Sequence, residues 1–322
     1  MSPLTPLIGF VALILDRVVG YPSLLQSLIG HPVQWIGALI DLMDRLLNKP
    51  SEPEPVRRLL GGVTVIVAVA VALIVTVPVT VLLRDWTYGW VVEALLATPL
   101  LAQKSLRQHV EAVADGLDRG LLEGRKAVSR IVGRDPAGLD RAGVSRAAIE
   151  SLAENASDGV VAPAFWLLLF GLPGIAAYKA INTADSMIGH LSDRHRAFGW
   201  AAARLDDLVN LPASRLCGLF FALAAWPKWW LPLRSMWRHA SLHVSPNAGW
   251  PEAAVAGALA IRLGGPRNYG GHTVDLAWIG DGRENLAARD IRRALKLYRR
   301  MLTVVGVIFE FLAILGLLYL WW

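Results

Sequence analysis

The chain has 322 residues, 54% of them hydrophobic and only 18% charged, and its mean hydropathy is +0.44. A soluble domain usually carries about 25% charged residues, so this deficit argues against an ordinary water-soluble fold and points to a bilayer. The formal charge of +6 does not call for nucleic acid, because basic residues crowd the cytoplasmic loops of membrane proteins, and the single cysteine, Cys217, excludes a disulfide framework and a cysteine-based metal site.

Met1 to Leu15 has no Lys or Arg ahead of its apolar run and no small-residue cleavage site after it, so it reads as a retained segment rather than a secretory signal. Residues 3–15 form a short first span that ends at Asp16-Arg17. Pro50 to Pro55 is a linker, and the uncharged, valine-rich run 59–83 is the clearest span. It exceeds the roughly 20 helical residues that a bilayer core of about 30 Å requires. Residues 88–102, bracketed by Trp86, Trp90 and Lys104, form a further span, within which Glu93 is an intramembrane ionisable group.

From Lys104 to Val132 the spacing of Leu106, Val110, Val113, Leu117 and Leu121 predicts an amphipathic helix, broken at Asp135-Pro136. A second helix is expected from Val144 to about Asn155. Residues 160–177 are interrupted by Pro163, Gly171, Pro173 and Gly174, and residues 211–233 contain Arg215, Pro227 and Lys228. Both are expected to be re-entrant or partly spanning, which keeps the polar stretch 178–210 on the cytoplasmic side. The last span is 302–320, ending at the Trp321-Trp322 pair. Nine Lys/Arg lie between Gln103 and Gly159 and eleven between Arg234 and Met301, against the lone Arg84 in the turn after the 59–83 span. The large loops therefore face the cytoplasm. The expected class is all-α: one multi-pass helical domain over 1–322 in the bacterial cytoplasmic (inner) membrane, with cytoplasmic amphipathic helices and loops.

The chemistry-bearing stretch is Glu154-Asn-Ala-Ser-Asp158-Gly159, then Lys179-Ala-Ile-Asn182-Thr-Ala-Asp185, then Arg204-Leu-Asp206-Asp207-Leu-Val-Asn210. Glu154 and Asp158 are four apart, as are Asp206 and Asn210, so each pair shares a helix face. Carboxylates beside apolar segments are costly to keep, and oxygen donors of this kind suit Mg²⁺, which bridges substrate phosphates. Glu154, Asp158, Asp185, Asp206 and Asp207 are the expected metal ligands, converging on one divalent-cation and phosphate pocket beside the inner leaflet. A second constellation is Ser245-Pro-Asn247 to Glu252, followed by Leu263-Gly-Gly-Pro-Arg267 to Gly271, where glycine backbone can approach a phosphate and Arg267 can bind it with two hydrogen bonds. His31, near Asp16 and Gly20, is the third; a lone histidine is more often structural than catalytic.

Taken together, His31-Pro-Val-Gln-Trp-Ile-Gly37, Ile131-Val-Gly-Arg-Asp135, Ala153-Glu-Asn-Ala-Ser-Asp-Gly159, Tyr178-Lys-Ala-Ile-Asn-Thr-Ala-Asp-Ser-Met187, Ala203-Arg-Leu-Asp-Asp207, Ser245-Pro-Asn247, Val255-Ala-Gly-Ala-Leu259, Leu263-Gly-Gly-Pro266 and Trp278-Ile-Gly-Asp281 resemble the adenosylcobinamide-phosphate synthase family (CbiB/CobD) of cobalamin assembly. They follow the family order over nearly the whole chain; Tyr21 stands where the family usually has aspartate, and His190 where it has tyrosine. The resemblance implies ATP-dependent amide formation between a propionate of adenosylcobyric acid and an amino-alcohol phosphate such as aminopropanol phosphate. It further implies ATP and Mg²⁺ as cofactors, and pathway logic adds the membrane cobalamin synthase as a partner. On that basis Asp158, Asp185 and Asp207 are the expected catalytic residues, with Asp158 a proton acceptor, and Lys179, Asn182, Arg204, Asn247 and Arg267 the expected phosphate- and nucleotide-binding residues.

Two rival readings start from the same residues. A CDP-alcohol phosphotransferase needs Asp-Gly-x-x-Ala-Arg and two spaced aspartates; here Pro163 follows Asp158-Gly-Val-Val-Ala162, and Ala197 stands where the last aspartate should be. A corrinoid transporter, whose sites use broken segments near polar residues, is the alternative from a different class.

Overall fold

In the computed structural model the described residues are 3–133, 135–269 and 272–321, and the side chains of 267–274 lie outside the description. The protein is an all-α polytopic membrane protein. Among the described residues four helices are long and apolar enough to cross a bilayer, or five if a pair bent by 101° near the amino terminus counts as one span. The chain divides into two compact units.

The first unit comprises Met1–Ala102, Ala162–Asn210 and Ile308–Trp322. Its helices are α1 (Thr5–Val18), α2 (Ser23–Ile29), α3 (Pro32–Leu47), α4 (Glu54–Arg84) and α5 (Gly89–Ala97), followed by a 3-10 turn at Thr98–Leu100. Helix α4 contains all of 59–83. Only 11% of its most apolar stretch is buried inside the protein, while Val63, Ile66, Val71, Ile74, Val75 and Val81 face outward. A helix this apolar all round is stable only with lipid against it. The expected span at 88–102 is shorter than a crossing, since α5 has nine residues. Against α4 lies α9 (Ala162–Ile188), which also packs on α1, α3 and α5. It is broken at Gly171, where φ is +66°, a conformation glycine adopts freely and other residues rarely do. Helical geometry resumes on both sides of that break. The carboxy-terminal part of α13 (Ala288–Trp321) approaches α1 so closely that a Cβ on Gly9 would meet the Phe309 ring at 2.4 Å.

The second unit comprises Gln103–Val161 and Leu211–Val307. The stretch predicted as one amphipathic helix is a hairpin of α6 (Gln103–Arg119) and α7 (Leu121–Val128), reversing at Gly120 with φ +153°. The apolar spacing is right, but Gly116 and Gly124 let the two helices close on each other: a Cβ on Gly116 would meet the Glu123 carbonyl oxygen at 2.8 Å. Val110, Val113 and Leu117 from α6 are buried, as are Ile149 and Leu152 of α8 (Arg141–Ala156). Helix α8 runs into a π-helical turn at Ser157–Val161, within the Ser-Asp-Gly motif; such turns are frequent at functional sites. The rest of the unit holds α11 (Trp230–His239), α12 (Gly249–Leu259) and two small antiparallel pairs. These are β1 (Leu263–Gly264) with β4 (Trp278–Ile279), and β2 (Arg267–Tyr269) with β3 (His272–Val274). Helix α10 (Trp200–Ala224) begins in the first unit and ends in the second; it passes Leu211 and Pro212 without interruption, so the expected 211–233 segment is helix up to Ala224, a turn over 225–229 and the start of α11.

Candidate functional site

In the first unit α9 and α10 face each other with polar side chains that an apolar contact would not tolerate. Lys179 Nζ donates to Asn182 Oδ1 at 3.5 Å, Asn182 Nδ2 to Asp206 Oδ1 at 3.3 Å and Asn210 Nδ2 to Asp206 Oδ2 at 2.9 Å. The Tyr178 hydroxyl closes the row by donating to Asn210 Oδ1 at 2.9 Å. Asp206 is 8% exposed and Asn210 fully buried, so the two amides hold a carboxylate that water reaches poorly. A buried polar network is stabilising only when its members are satisfied, and here each amide serves both neighbours.

Around this row, Asp185 and Asp207 lie within electrostatic reach of Asp206, and Arg204 within reach of Asp207. Gly189 leaves room for Asp185: a Cβ there would sit 2.0 Å from its Oδ1. His31 serves as the N-cap of α3, with Val33 N–H donating to its Nδ1 at 3.3 Å and its own N–H donating to Gln34 Oε1 at 2.9 Å. The Lys179 charge is felt at His31 as well. The ring of Tyr21 meets His31 edge-on at 4.6 Å, and its hydroxyl donates to the Gly30 carbonyl at 2.7 Å.

The turn 189–199 between α9 and α10 is clamped by a group that the sequence did not single out. Buried Asp44 accepts from Arg194 Nε at 3.1 Å and Nη2 at 2.5 Å and from Asn48 Nδ2 at 2.7 Å, with His195 Nε2 3.4 Å away. Asn48 also donates to the Arg194 carbonyl at 3.0 Å, and Arg57 joins both. Apart from the four-residue spacing of Asp44 and Asn48, the group is made by residues far apart in the chain.

In the second unit, three of the motif segments enclose one cavity of about 460 Å³. Ile131, Val132 and Gly133 come from one; Glu154 and Asn155, joined by Glu150, from the next; His243 and Glu252 from beside Ser245-Pro-Asn247. His243 Nε2 stands 3.8 Å from Glu252 Oε1, and Glu252 is 1% exposed. Asp158, in the π-helical turn, lies within electrostatic reach of Cys217. Asn247 is buried; its Oδ1 accepts from Ser214 at 3.1 Å and from Arg215 at 3.0 Å, while the Arg215 guanidinium sits 4.8 Å from the Trp250 ring centre.

Buried Glu150 was also missed, and it explains the glycine loop. Its Oε1 accepts the Gly264 N–H at 2.6 Å, where Gly264 and Gly265 have φ of +70° and +77°. A Cβ on Gly265 would strike the Trp278 ring at 2.6 Å, and Arg146 lies over that ring at 4.6 Å. The loop is thus shaped by an internal carboxylate and an aromatic wall. The Arg267 side chain lies outside the described residues.

The site residues accordingly form two groups. Lys179, Asn182, Asp185, Arg204, Asp206 and Asp207 belong to the first unit; Glu154, Asp158 and Asn247 belong to the second. Among the described residues no three His, Cys, Asp or Glu side chains stand together as a ready metal cage. The donors of the first unit fit a hard cation that keeps its waters and phosphate oxygens and takes one or two carboxylates.

A family model described as CobD/Cbib protein matches residues 9–298. The protein described as cobalamin biosynthesis protein CobD from Rhodobacter capsulatus is 48% identical over 306 residues, covering 95% of this chain and 96% of that one. Its namesake from Brucella suis is 51% identical over 296 residues, covering 89% and 90%, and that from Rhizobium meliloti 46% identical over 327 residues, covering 99% and 100%. No solved structure matches.

Proposed function

We propose a specific reaction for this chain, which belongs to the CobD/CbiB family and acts in cobalamin biosynthesis: it is an adenosylcobinamide-phosphate synthase. It joins a propionate carboxylate of adenosylcobyric acid to the amine of an amino-alcohol phosphate and consumes ATP. The observation that carries this reading is the family match over 9–298, with motif segments of that match gathered in the Lys179–Asp206 row and around the cavity of the second unit.

A carboxylate does not react with an amine until one of its oxygens can leave. ATP with Mg²⁺ supplies that by phosphorylating it, giving amide, ADP and phosphate overall. The chain's own groups bind, orient and move protons. Lys179 and Arg204 hold phosphate oxygens, and Asn182 keeps Lys179 and Asp206 in register. Asp206, with Asp185 and Asp207, provides the carboxylates for the cation. The acidic lining of the cavity, Glu150, Glu154 and Glu252, suits the ammonium end of the amino-alcohol phosphate. Asp158 takes the proton that the ammonium must lose before its nitrogen can attack.

The test is phosphate release by the purified protein in detergent. Release that requires both adenosylcobyric acid and aminopropanol phosphate supports the ligase. Release indifferent to the corrinoid, or corrinoid uptake into vesicles without nucleotide turnover, contradicts it.

A further inference from the structure

We propose that the first unit carries a binding site for a phospholipid with a primary-amine headgroup, separate from the groups assigned to catalysis. A cavity of about 510 Å³ opens where α4 ends and α9 is broken, lined by Thr80, Arg84, Asp85, Trp90, Glu93 and Gly171 among others. That volume is in the range of small-molecule pockets, about 300–1,000 Å³. Trp86 and Trp90 are the residue type that settles at the membrane–water interface, which puts the cavity at headgroup level.

The lining specifies the ligand. Glu93 is 8% exposed, and the charge of Arg84 acts on it. The Thr80 hydroxyl oxygen is buried and has no hydrogen-bond partner among the described residues. One guanidinium beside two carboxylates suits a zwitterion: phosphate to Arg84, ammonium to Glu93. A purely anionic headgroup would face Asp85 and Glu93 with nothing to offset them. A quaternary amine has no N–H to donate to a carboxylate.

The second observation favours a lipid over a soluble amino-alcohol phosphate. Phe170 lines this cavity and also an adjoining apolar groove of about 410 Å³, walled by Leu73, Trp166, Pro173, Ala177 and Val209. Trp166 and Phe170 stack with ring centres 5.7 Å apart. The Gly171 break opens the backbone at the junction. Headgroup in the polar cavity and acyl chain along the groove is the arrangement one phospholipid would take.

The experiment is native mass spectrometry of the full chain in detergent, offered an equimolar mixture of phosphatidylethanolamine, phosphatidylcholine and phosphatidylglycerol. One phosphatidylethanolamine should be retained about tenfold better than either other lipid, a difference of about 1.4 kcal/mol. Glu93→Gln should bring phosphatidylethanolamine down to the level of phosphatidylcholine, while Arg84→Gln should weaken both. Because each readout is a ratio within one sample, partial loss of folded protein does not imitate it. Equal retention of the three headgroups, or an unchanged ratio in Glu93→Gln, would overturn the proposal. Displacement by soluble phosphoethanolamine at the same concentration as the lipid would also overturn it, assigning the cavity to a chain-free amino-alcohol phosphate.

Discussion

Asn210 donates to Asp206 Oδ2 over 2.9 Å, one turn along α10, and both side chains are buried. Asn182 on α9 holds the other carboxylate oxygen, so Asp206 is fixed from two helices at once. Asp206→Asn keeps the size of the side chain and removes its charge. It should lower corrinoid-dependent ATP turnover by about 100-fold or more in the protein that remains folded, while its new amide N–H, facing a second amide donor, costs about 1–3 kcal/mol of stability. A turnover within a factor of about three of wild type would remove Asp206 from the phosphate and cation site.

Tyr178 supports that row from behind, with no direct place in the reaction. Tyr178→Phe should destabilise the protein by about 1 kcal/mol, the usual net worth of one hydrogen bond, and leave kcat within a few-fold. Chemical denaturation alongside steady-state kinetics separates the two effects.

Glu150 shapes the glycine loop from inside the second unit. Glu150→Ala strands the Gly264 N–H and should cost about 1–3 kcal/mol, with a raised KM for the amino-alcohol phosphate. Glu150→Gln keeps an acceptor and should recover most of the stability. Stability lost equally in both variants would show that charge, not acceptance, matters there.

Gly61 tests the seating of the 189–199 turn. A Cβ at this position of α4 would fall 1.7 Å from the Phe198 carbonyl oxygen, and backbone cannot swing aside as a side chain can. Gly61→Ala should therefore cost about 1–3 kcal/mol and loosen the Asp44–Arg194 clamp, read as faster amide exchange over 189–199.

Asp290, in the first turn of α13 and well before the apolar run 302–320, gives a pH dependence. Burial opposes its charge, but hydrogen bonds from Arg283, the Ala287 N–H and Arg293 outweigh that and hold its carboxyl below the ordinary 3.8. The unfolded chain thus takes up the proton first as pH falls. The ionised form contributes fully above the ordinary value, and its contribution is lost as pH drops through the lower folded one. The melting temperature should fall below about pH 4 in the wild type. Asp290→Asn should melt lower at neutral pH and show less of that acid decline.

Much of the fold was legible because lipid leaves a long apolar record: 59–83 lies within α4 and 302–320 within α13. Periodicity found the buried face of α6 but not the reversal at Gly120, since the apolar spacing runs straight across it. The 88–102 stretch is apolar enough for a span, yet α5 ends at Ala97 and the chain passes into a 3-10 turn at Thr98–Leu100 that contains Pro99. In the site, Asn182, Asp206 and Lys179 stood out as polar residues among apolar ones. Asp44, Glu150 and Arg194 did not, because their partners lie 114 to 150 residues away in sequence. A contact of that range leaves no local spacing to read.

Product formation is the most direct test of the assigned reaction. Wild-type protein incubated with ATP, Mg²⁺, adenosylcobyric acid and aminopropanol phosphate should yield a corrinoid whose mass equals the two substrates minus one water, in step with ADP. Unchanged adenosylcobyric acid after prolonged incubation with active-folded protein, or that same product forming without nucleotide, would contradict the account.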